Sequence, residues 1–189
     1  GTKGGVAVKQ ALPYVRLVGE SWPLPLKRSF FEYHALSRQS QRDPGMTPEI
    51  FHFDPGQAMI VMEFLSPHII LRRALIEGQE LPKIAKDLGL FLARTLFRGS
   101  DLCLDTKLRK ADLALFADNV ALCDITESLV FSDPYFDAKL NRHTSPQLDG
   151  IVAQLRADRD LKVAAQRLKH IFAATPETLL HGDFHTGSV

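Results

Sequence analysis

The spacing of apolar side chains changes along the chain. Short runs rich in β-branched and aromatic residues predict strands over 6–10, 49–53 and 58–63. An Asp54-Pro55-Gly56 turn separates the last two of these strands. The stretch 13–26 carries three prolines and one glycine, which predicts a loop with at most a short extended piece. Over 27–40 the apolar residues recur at three- and four-residue steps and predict a helix.

Helical spacing dominates from Ser66 to about Thr175. Serine followed by proline at 66 and 67 is typical of a helix start, and Gly78 of a helix end, so we predict a helix between them. The clearest periodicity lies over 81–97, on a face made of Leu81, Ile84, Leu88, Phe91, Leu92 and Thr95. A second long helix is predicted over 148–172, with an inner stripe made of Leu161, Ala164, Leu168, Ile171 and Phe172. A closing strand is predicted over 178–180.

This order of elements predicts an α+β fold of two lobes. A small sheet with one helix comes first, and a set of helices follows it. We predict an N-terminal sheet lobe over 1–64, which ends at a hinge, and a helical C-terminal lobe over 65–189. Both lobes are expected to be incomplete pieces of a longer protein.

The charge and composition of the chain exclude some classes of binding partner. Lysine and arginine number 23 against 22 aspartates and glutamates, so the formal net charge of +1 provides no field to recruit nucleic acid or an anionic membrane. The two cysteines, Cys103 and Cys123, lie in apolar stretches without the spacing of a metal site. The first residues lack the apolar core of a signal peptide, and no apolar run is long enough to span a bilayer. We therefore expect a cytoplasmic protein.

The most informative stretch is His181-Gly182-Asp183-Phe184-His185-Thr186-Gly187-Ser188. A carboxylate delivered into a tight, glycine-containing loop at the end of a strand can accept a hydrogen bond from a substrate hydroxyl, and Asp183 is the candidate catalytic residue. His181, His185 and Ser188 are predicted to support the loop, with Ser188 placed to meet a metal or a phosphate. Two alternatives are an acidic turn without chemistry and a His/Asp metal site of a hydrolase, although the other histidines occur singly.

A carboxylate that accepts from a substrate hydroxyl is one requirement of phosphoryl transfer. A second is a cation on the nucleotide phosphates, and Lys9 is the candidate. Strand alternation places Ala7 and Lys9 on one face, where a small residue leaves room for a purine. Glu32, on the following helix, is predicted to pair with Lys9. The end of the strand over 58–63 predicts a hinge in which backbone groups of Glu63 and Leu65 meet an adenine edge. Each residue also has a plain interpretation, as a solvated surface charge or a linker.

The loop resembles the HGDxHxGN motif of the aminoglycoside-phosphotransferase-like and choline-kinase-like kinases. Its Thr-Gly-Ser ending is similar to that of the methylthioribose kinases in this superfamily, where serine takes the usual asparagine position. Further similar strings are VKQALPYVRLVGESWPL, MEFLSPHIILR, FLARTLF and ITESLVFSDPYFD. The resemblance therefore extends over nearly the whole chain.

This resemblance implies a protein-kinase-like two-lobed fold and ATP- and magnesium-dependent phosphorylation of 5-methylthioribose at its 1-hydroxyl, in methionine salvage. It implies that Asp183 contacts the sugar hydroxyl, that Lys9 and Glu32 serve the nucleotide phosphates, and that Glu63 and Leu65 hold adenine. A homodimer is also implied. Alternatives are a kinase of the same fold for another alcohol, such as an aminoglycoside or homoserine, and a catalytically dead nucleotide-binding relative.

Two features of that family are not found in the sequence. These are a glycine-rich loop before the lysine strand and an Asp-x-Glu metal motif after the catalytic loop. Without the metal carboxylates the charge on the transferred phosphoryl group is not neutralised. We therefore expect the 189-residue chain to have little or no activity by itself.

Overall fold

The computed structural model describes residues 5–16 and 19–189, and the chain divides into two compact units. The first unit comprises Gly1–Phe116 and Thr178–Val189, and the second comprises Ala117–Glu177. Strands and helices both occur in the described residues, which confirms the predicted α+β class. Each helix in these residues is too short or too polar to cross a lipid bilayer. The sequence Gly4-Gly5 predicts a glycine hairpin leading into the first strand, and Gly4 lies outside the described residues.

The sheet of the first unit confirms the three predicted strands to within one residue. The described strands are β1 (Val6–Gln10), β2 (Tyr14–Val15), β3 (Gly19–Pro23), β4 (Ile50–Asp54) and β5 (Met59–Glu63). Three of them form an antiparallel sheet in the order β1-β5-β4, with Lys9 opposite Ile60. The predicted turn closes β4 onto β5 because Asp54 Oδ1 accepts the backbone N–H groups of Gly56 and Gln57, at 2.8 and 3.0 Å.

The interpretation of 13–26 as a loop is wrong in part. Strands β2 and β3 pair there as a two-stranded antiparallel sheet, with Tyr14 opposite Pro23. Proline is compatible with this arrangement because Pro23 is the last residue of β3, at the end of an isolated ribbon. Gly19, the first residue of β3, has a φ of +73°, a conformation that glycine adopts without strain.

Four helices of the first unit surround its core. They are α1 (Arg28–Arg42), α2 (Leu71–Ile76), α3 (Ile84–Arg98) and α4 (Thr106–Ala117). Helices α1 and α3 confirm the periodicity of the sequence. The predicted stripe of α3 is its inner face, where Phe91 and Thr95 are buried, while Phe31 of α1 and Ile60 of β5 are buried in the same unit.

The predicted start of α2 at Ser66-Pro67 is wrong, since the helix begins at Leu71. Its first backbone donors have partners that are remote in sequence. The N–H of Leu71 donates to the carbonyl of Val189 at 2.7 Å, and the N–H of Arg72 donates to the carbonyl of Thr186 at 2.8 Å. These carbonyls take the place of an N-cap side chain. Within the described residues, no side chain caps the start of α2.

In the second unit the predicted helix over 148–172 is broken. The elements are α5 (Val120–Phe131), a 3₁₀ turn (Asp133–Tyr135), α6 (Asp149–Ala157) and α7 (Arg159–Ala174). Asp158 separates the last two helices in an extended conformation, and its Oδ1 accepts the N–H of Leu161 at 2.9 Å. Aspartate favours an N-cap over a helix interior, and here that preference is stronger than the apolar periodicity on either side.

Two further predictions for this part of the chain fail. Leu161 and Phe172 of the predicted inner stripe are half-buried, but Ala164, Leu168 and Ile171 are exposed. The buried residue of α7 is instead Ala165, one position away from the stripe. No strand forms over 178–180 within the described residues. Thr178 there donates its hydroxyl to the carbonyl of Leu96 at 3.0 Å, so the segment is fixed to the end of α3.

A buried ion cluster fastens α1 to its neighbours. Asp112 of α4 accepts from Arg38 Nε and Arg42 Nη2, each at 2.8 Å, and the Arg42 side chain is only 8% exposed. Burial lowers the pKa of Arg42, while Asp112 opposes that shift. Asp43, directly after α1, accepts from Arg94 of α3 at 2.9 Å. The cluster therefore ties the C-terminal end of α1 to α3 and α4.

Replacing Asp112 by asparagine is expected to destabilise the protein by about 3 kcal/mol, because a buried guanidinium then loses its counter-charge. The measurement is urea unfolding of the complete protein. The control is Asp137→Asn, since Asp137 is 98% exposed and meets Arg156 at 3.5 Å on the surface. Equal unfolding midpoints for the two variants would contradict the assigned role of Asp112.

Candidate active site

Residues 181–189, here called the HGD loop, lie against two helices of the first unit. Phe184 stacks on Phe91 of α3, with ring centroids 5.8 Å apart and planes 15° from parallel. The backbone carbonyls of Thr186 and Val189 accept from the first turn of α2. Gly182 has a φ of +78°, so a side chain there would strain the backbone just before Asp183. An apolar contact and helix-capping hydrogen bonds thus hold an otherwise irregular loop.

The carboxylate of Asp183 faces solvent, with its side chain 72% exposed. Its Oδ1 lies 3.1 Å from His185 Nε2, and its Oδ2 accepts the hydroxyl of Ser188 at 3.0 Å. Each of the two carboxylate oxygens therefore faces a different side chain of the loop. Each carboxylate oxygen keeps a further lone pair, so the group remains able to accept a hydrogen bond from a bound hydroxyl.

His181 supports the loop through two contacts of its ring. Its Nδ1 accepts the backbone N–H of Asp183 at 3.2 Å, and its ring meets the ring of Phe184 edge-on at 5.4 Å. Burial lowers the pKa of His181, and the nearby His185 lowers it further, against the opposing effect of Asp183. The neutral ring is the form that accepts from the backbone. The predicted loop-supporting residues thus lie together around Asp183.

Arg72 joins this group, and sequence reasoning missed it. Its Nη2 lies 3.2 Å from His185 Nδ1, across a separation of 113 residues. The same nitrogen of His185 accepts the backbone N–H of Gly187 at 2.9 Å. Arginine in the first turn of a helix has no sequence signal that points to a distant loop. Only the docking of the loop on α2 shows the contact.

The other predicted group lies on β1 and α1. Lys9 Nζ and Glu32 Oε1 are 2.5 Å apart, with side chains 60% and 33% exposed, so the expected pair forms. It joins a strand of the sheet to the helix that follows. The assignment of either residue to nucleotide phosphates stays a prediction.

The predicted hinge residues lie at the end of β5. The N–H of Glu63 donates to the carbonyl of Glu49 at 2.8 Å, and Glu63 Oε2 accepts the N–H of Glu49 at 3.2 Å. Glu63 therefore closes the pairing with β4. The neighbouring Leu65 is 40% exposed. An adenine contact in this segment stays a prediction, and the N–H of Glu63 is already bonded to the carbonyl of Glu49, the residue before β4.

The described residues do not form a metal site. No group of three or more histidine, cysteine, aspartate or glutamate side chains converges within them. Asp183 and Ser188 supply neighbouring oxygens, but these bond to each other, and a hard divalent cation needs about six oxygen ligands. The residues at hand therefore do not account for the binding of a metal.

Comparison with known proteins gives one family over most of the chain. The phosphotransferase enzyme family matches residues 15–189. A methylthioribose kinase of Escherichia coli O45:K1 is 45% identical over 190 residues, covering 100% of this chain and 45% of that protein. Methylthioribose kinase 1 of Oryza sativa subsp. japonica is 46% identical over 187 residues, covering 98% and 44%. A methylthioribose kinase of Klebsiella pneumoniae (strain 342) is 49% identical over 182 residues, covering 96% and 45%. The chain thus spans less than half the length of these relatives.

Replacing Gly187 by alanine is expected to loosen the HGD loop without unfolding the protein. A Cβ at this position would lie 2.8 Å from His185 Cε1 and 2.9 Å from Arg72 Nη2, so both side chains would have to move. Hydrogen exchange should become faster at the amides of Leu71 and Arg72. The control is Gly89→Ala in α3, where a Cβ has nothing within 4 Å and exchange at those amides should not change. Unchanged exchange in the Gly187 variant would refute the tight packing.

Proposed function

We propose, given that this chain belongs to the phosphotransferase enzyme family, that the complete protein transfers a phosphoryl group from ATP to a hydroxyl of methylthioribose. The observation that carries the proposal is Asp183. Its carboxylate is exposed and is held at both oxygens by side chains of the loop. The loop itself is docked on two helices. Phosphoryl transfer to an alcohol requires little covalent chemistry from the protein. It requires that the attacking hydroxyl be positioned, and a fixed acceptor does this.

In this mechanism Asp183 accepts a hydrogen bond from the attacking hydroxyl and takes its proton as the hydroxyl oxygen bonds to the γ-phosphorus of ATP. The bond from that phosphorus to the β–γ bridging oxygen breaks at the same time, and ADP leaves. His185 and Ser188 hold the two carboxylate oxygens, which orients the remaining lone pairs toward the substrate. Orientation of this kind reduces the entropic part of the barrier. His181 contributes by holding the backbone of Asp183.

Lys9 places its ammonium on the phosphates of ATP, and Glu32 holds that ammonium in position. The 2.5 Å pair between a strand and a helix supports this role. We also propose that Glu63, the last residue of β5, and the nearby Leu65 bind the adenine edge with their backbone groups. This segment would mark the boundary between a lobe over 1–64 and a lobe over 65–189. Leu65 is accessible for such a contact.

A divalent metal is general to kinases, and we propose magnesium for this one. It would neutralise charge on the transferred phosphoryl group. Because the described residues do not form a metal site, no step here is assigned to it, and we expect the 189-residue chain alone to turn over poorly.

The acceptor is proposed from the relatives. Proteins 44–49% identical to this chain are methylthioribose kinases, and their agreement supports methylthioribose as the acceptor. We further propose the 1-hydroxyl of 5-methylthioribose as the site of phosphorylation, in methionine salvage. A cytoplasmic homodimer is the proposed state of the complete protein.

The test of this function is a coupled ADP assay of the complete protein with a panel of sugars and amino alcohols. Methylthioribose should give the highest kcat/KM, and Asp183→Asn should lower kcat by roughly 10²–10⁴-fold with ATP binding retained. Asp137→Asn is the matched control, since its carboxylate is on the surface. A preference for an aminoglycoside or homoserine would reassign the acceptor. Unchanged turnover in Asp183→Asn would refute the proposed chemistry.

Substitution of Lys9 tests the nucleotide site separately. Lys9→Met should raise the KM for ATP about tenfold or more with little change in the KM for the acceptor, because a charge-assisted contact to phosphate is lost. Glu32→Gln should shift the same parameter in the same direction, but less. Lys86→Met, on the exposed side of α3, is the control. An effect confined to the acceptor KM would exclude Lys9 from the nucleotide site.

A further inference from the structure

We propose that Arg72 is a positioning residue, which orients the carboxylate of Asp183 by fixing the tautomer of His185. The inference rests on the proposed function for the role of Asp183, and otherwise on the contacts around one imidazole ring. Arg72 lies in the first turn of α2, outside the HGD loop, and its guanidinium reaches the loop from there.

The two nitrogens of His185 have different surroundings. Nδ1 faces two donors, the backbone N–H of Gly187 at 2.9 Å and the guanidinium Nη2 of Arg72 at 3.2 Å. A guanidinium has donors only, and a backbone N–H is a donor as well. Nδ1 must therefore be the unprotonated nitrogen, because a hydrogen there would point at two other hydrogens.

The proton of the neutral ring is consequently on Nε2, which faces the carboxylate. Nε2 lies 3.1 Å from Asp183 Oδ1 and 3.4 Å from the hydroxyl oxygen of Ser188, so the ring donates to the nearer, charged oxygen. Ser188 donates to Oδ2 at 3.0 Å. Two donors on different oxygens fix the rotation of the carboxylate about its last side-chain bond. In the opposite tautomer, a lone pair of Nε2 would face Oδ1 and the orientation would be lost.

The position of Arg72 is itself determined by its attachment to the loop. Its backbone N–H donates to the carbonyl of Thr186 at 2.8 Å, so backbone and side chain hold the same segment. Gly187 leaves room for the guanidinium, since a Cβ there would come within 2.9 Å of Nη2. The contact between Arg72 and His185 is therefore part of how α2 and the loop pack.

The neighbouring Arg73 provides a matched control. Its Nε pairs with Glu77 Oε1 at 2.7 Å one turn along α2, on the surface. Arg72→Met and Arg73→Met remove the same charge from adjacent positions of one helix. Only the first change removes a donor from His185 Nδ1.

The direct test is the tautomer of His185 in the complete protein, read from two-bond nitrogen-proton correlations of histidine-labelled samples. The wild-type protein and Arg73→Met should show a proton on Nε2 and none on Nδ1. Arg72→Met should show a mixture of tautomers, because the N–H of Gly187 is still there as one donor. A protonated Nδ1 in the wild-type ring would by itself overturn the inference, whether or not the variant folds.

The kinetic test separates positioning from binding. Arg72→Met should lower kcat about two- to tenfold, in proportion to the fraction of rings that leave the Nε2–H form, while the KM for ATP stays within about twofold. Arg72→Lys, which keeps a donor, should recover part of the loss, and Arg73→Met should match the wild type. Wild-type kcat and tautomer in Arg72→Met would overturn the inference.

The two proposals can fail separately. If Asp183→Asn retains full turnover, the proposed function falls, and the tautomer measurement still decides whether Arg72 controls His185. If Asp183→Asn is inactive and Arg72→Met behaves like Arg73→Met in both measurements, Asp183 is retained as the base and Arg72 is excluded.

Discussion

The first unit depends on the capping of one short helix by a distant loop. The backbone donors of Leu71 and Arg72 would be unsatisfied at the start of α2, and carbonyls of Thr186 and Val189 accept from them. The same two bonds hold the HGD loop, which has no regular structure of its own. Helix start and loop therefore stabilise each other, and the exposed carboxylate of Asp183 lies in a fixed place because both are present.

The two ends of α1 are secured in different ways. Its C-terminal end is tied to α4 through a buried carboxylate between two arginines, where desolvation makes the loss of either charge costly. Its N-terminal half carries Glu32, whose pair with Lys9 on β1 is partly exposed. Exposed pairs contribute little to stability. The pair at this end thus contributes little to holding the helix, while the buried cluster at the other end fixes it.

The predictions from sequence succeeded where one periodic pattern decides the structure. Apolar spacing predicted α1 and α3, because burial of one face is the main force on such helices. Two short extended runs on either side of a turn predicted β4 and β5. The start of α2 and the break at Asp158 could not be found in this way. The first depends on acceptors more than a hundred residues away, and the second on a capping preference stronger than the pattern around it. The HGD loop was identified from residue types, but the link from Arg72 to His185 needed coordinates, because it joins two segments that no periodicity relates.

The packing at Gly187 has a consequence for how such sequences can diverge. The space that a methyl group would need at this position is filled by the guanidinium of Arg72 and the ring of His185. A side chain at 187 therefore requires the ring and the guanidinium to shift together, and a smaller residue in place of the arginine removes only one of the two obstacles. Positions 72, 185 and 187 should accordingly vary together across homologues.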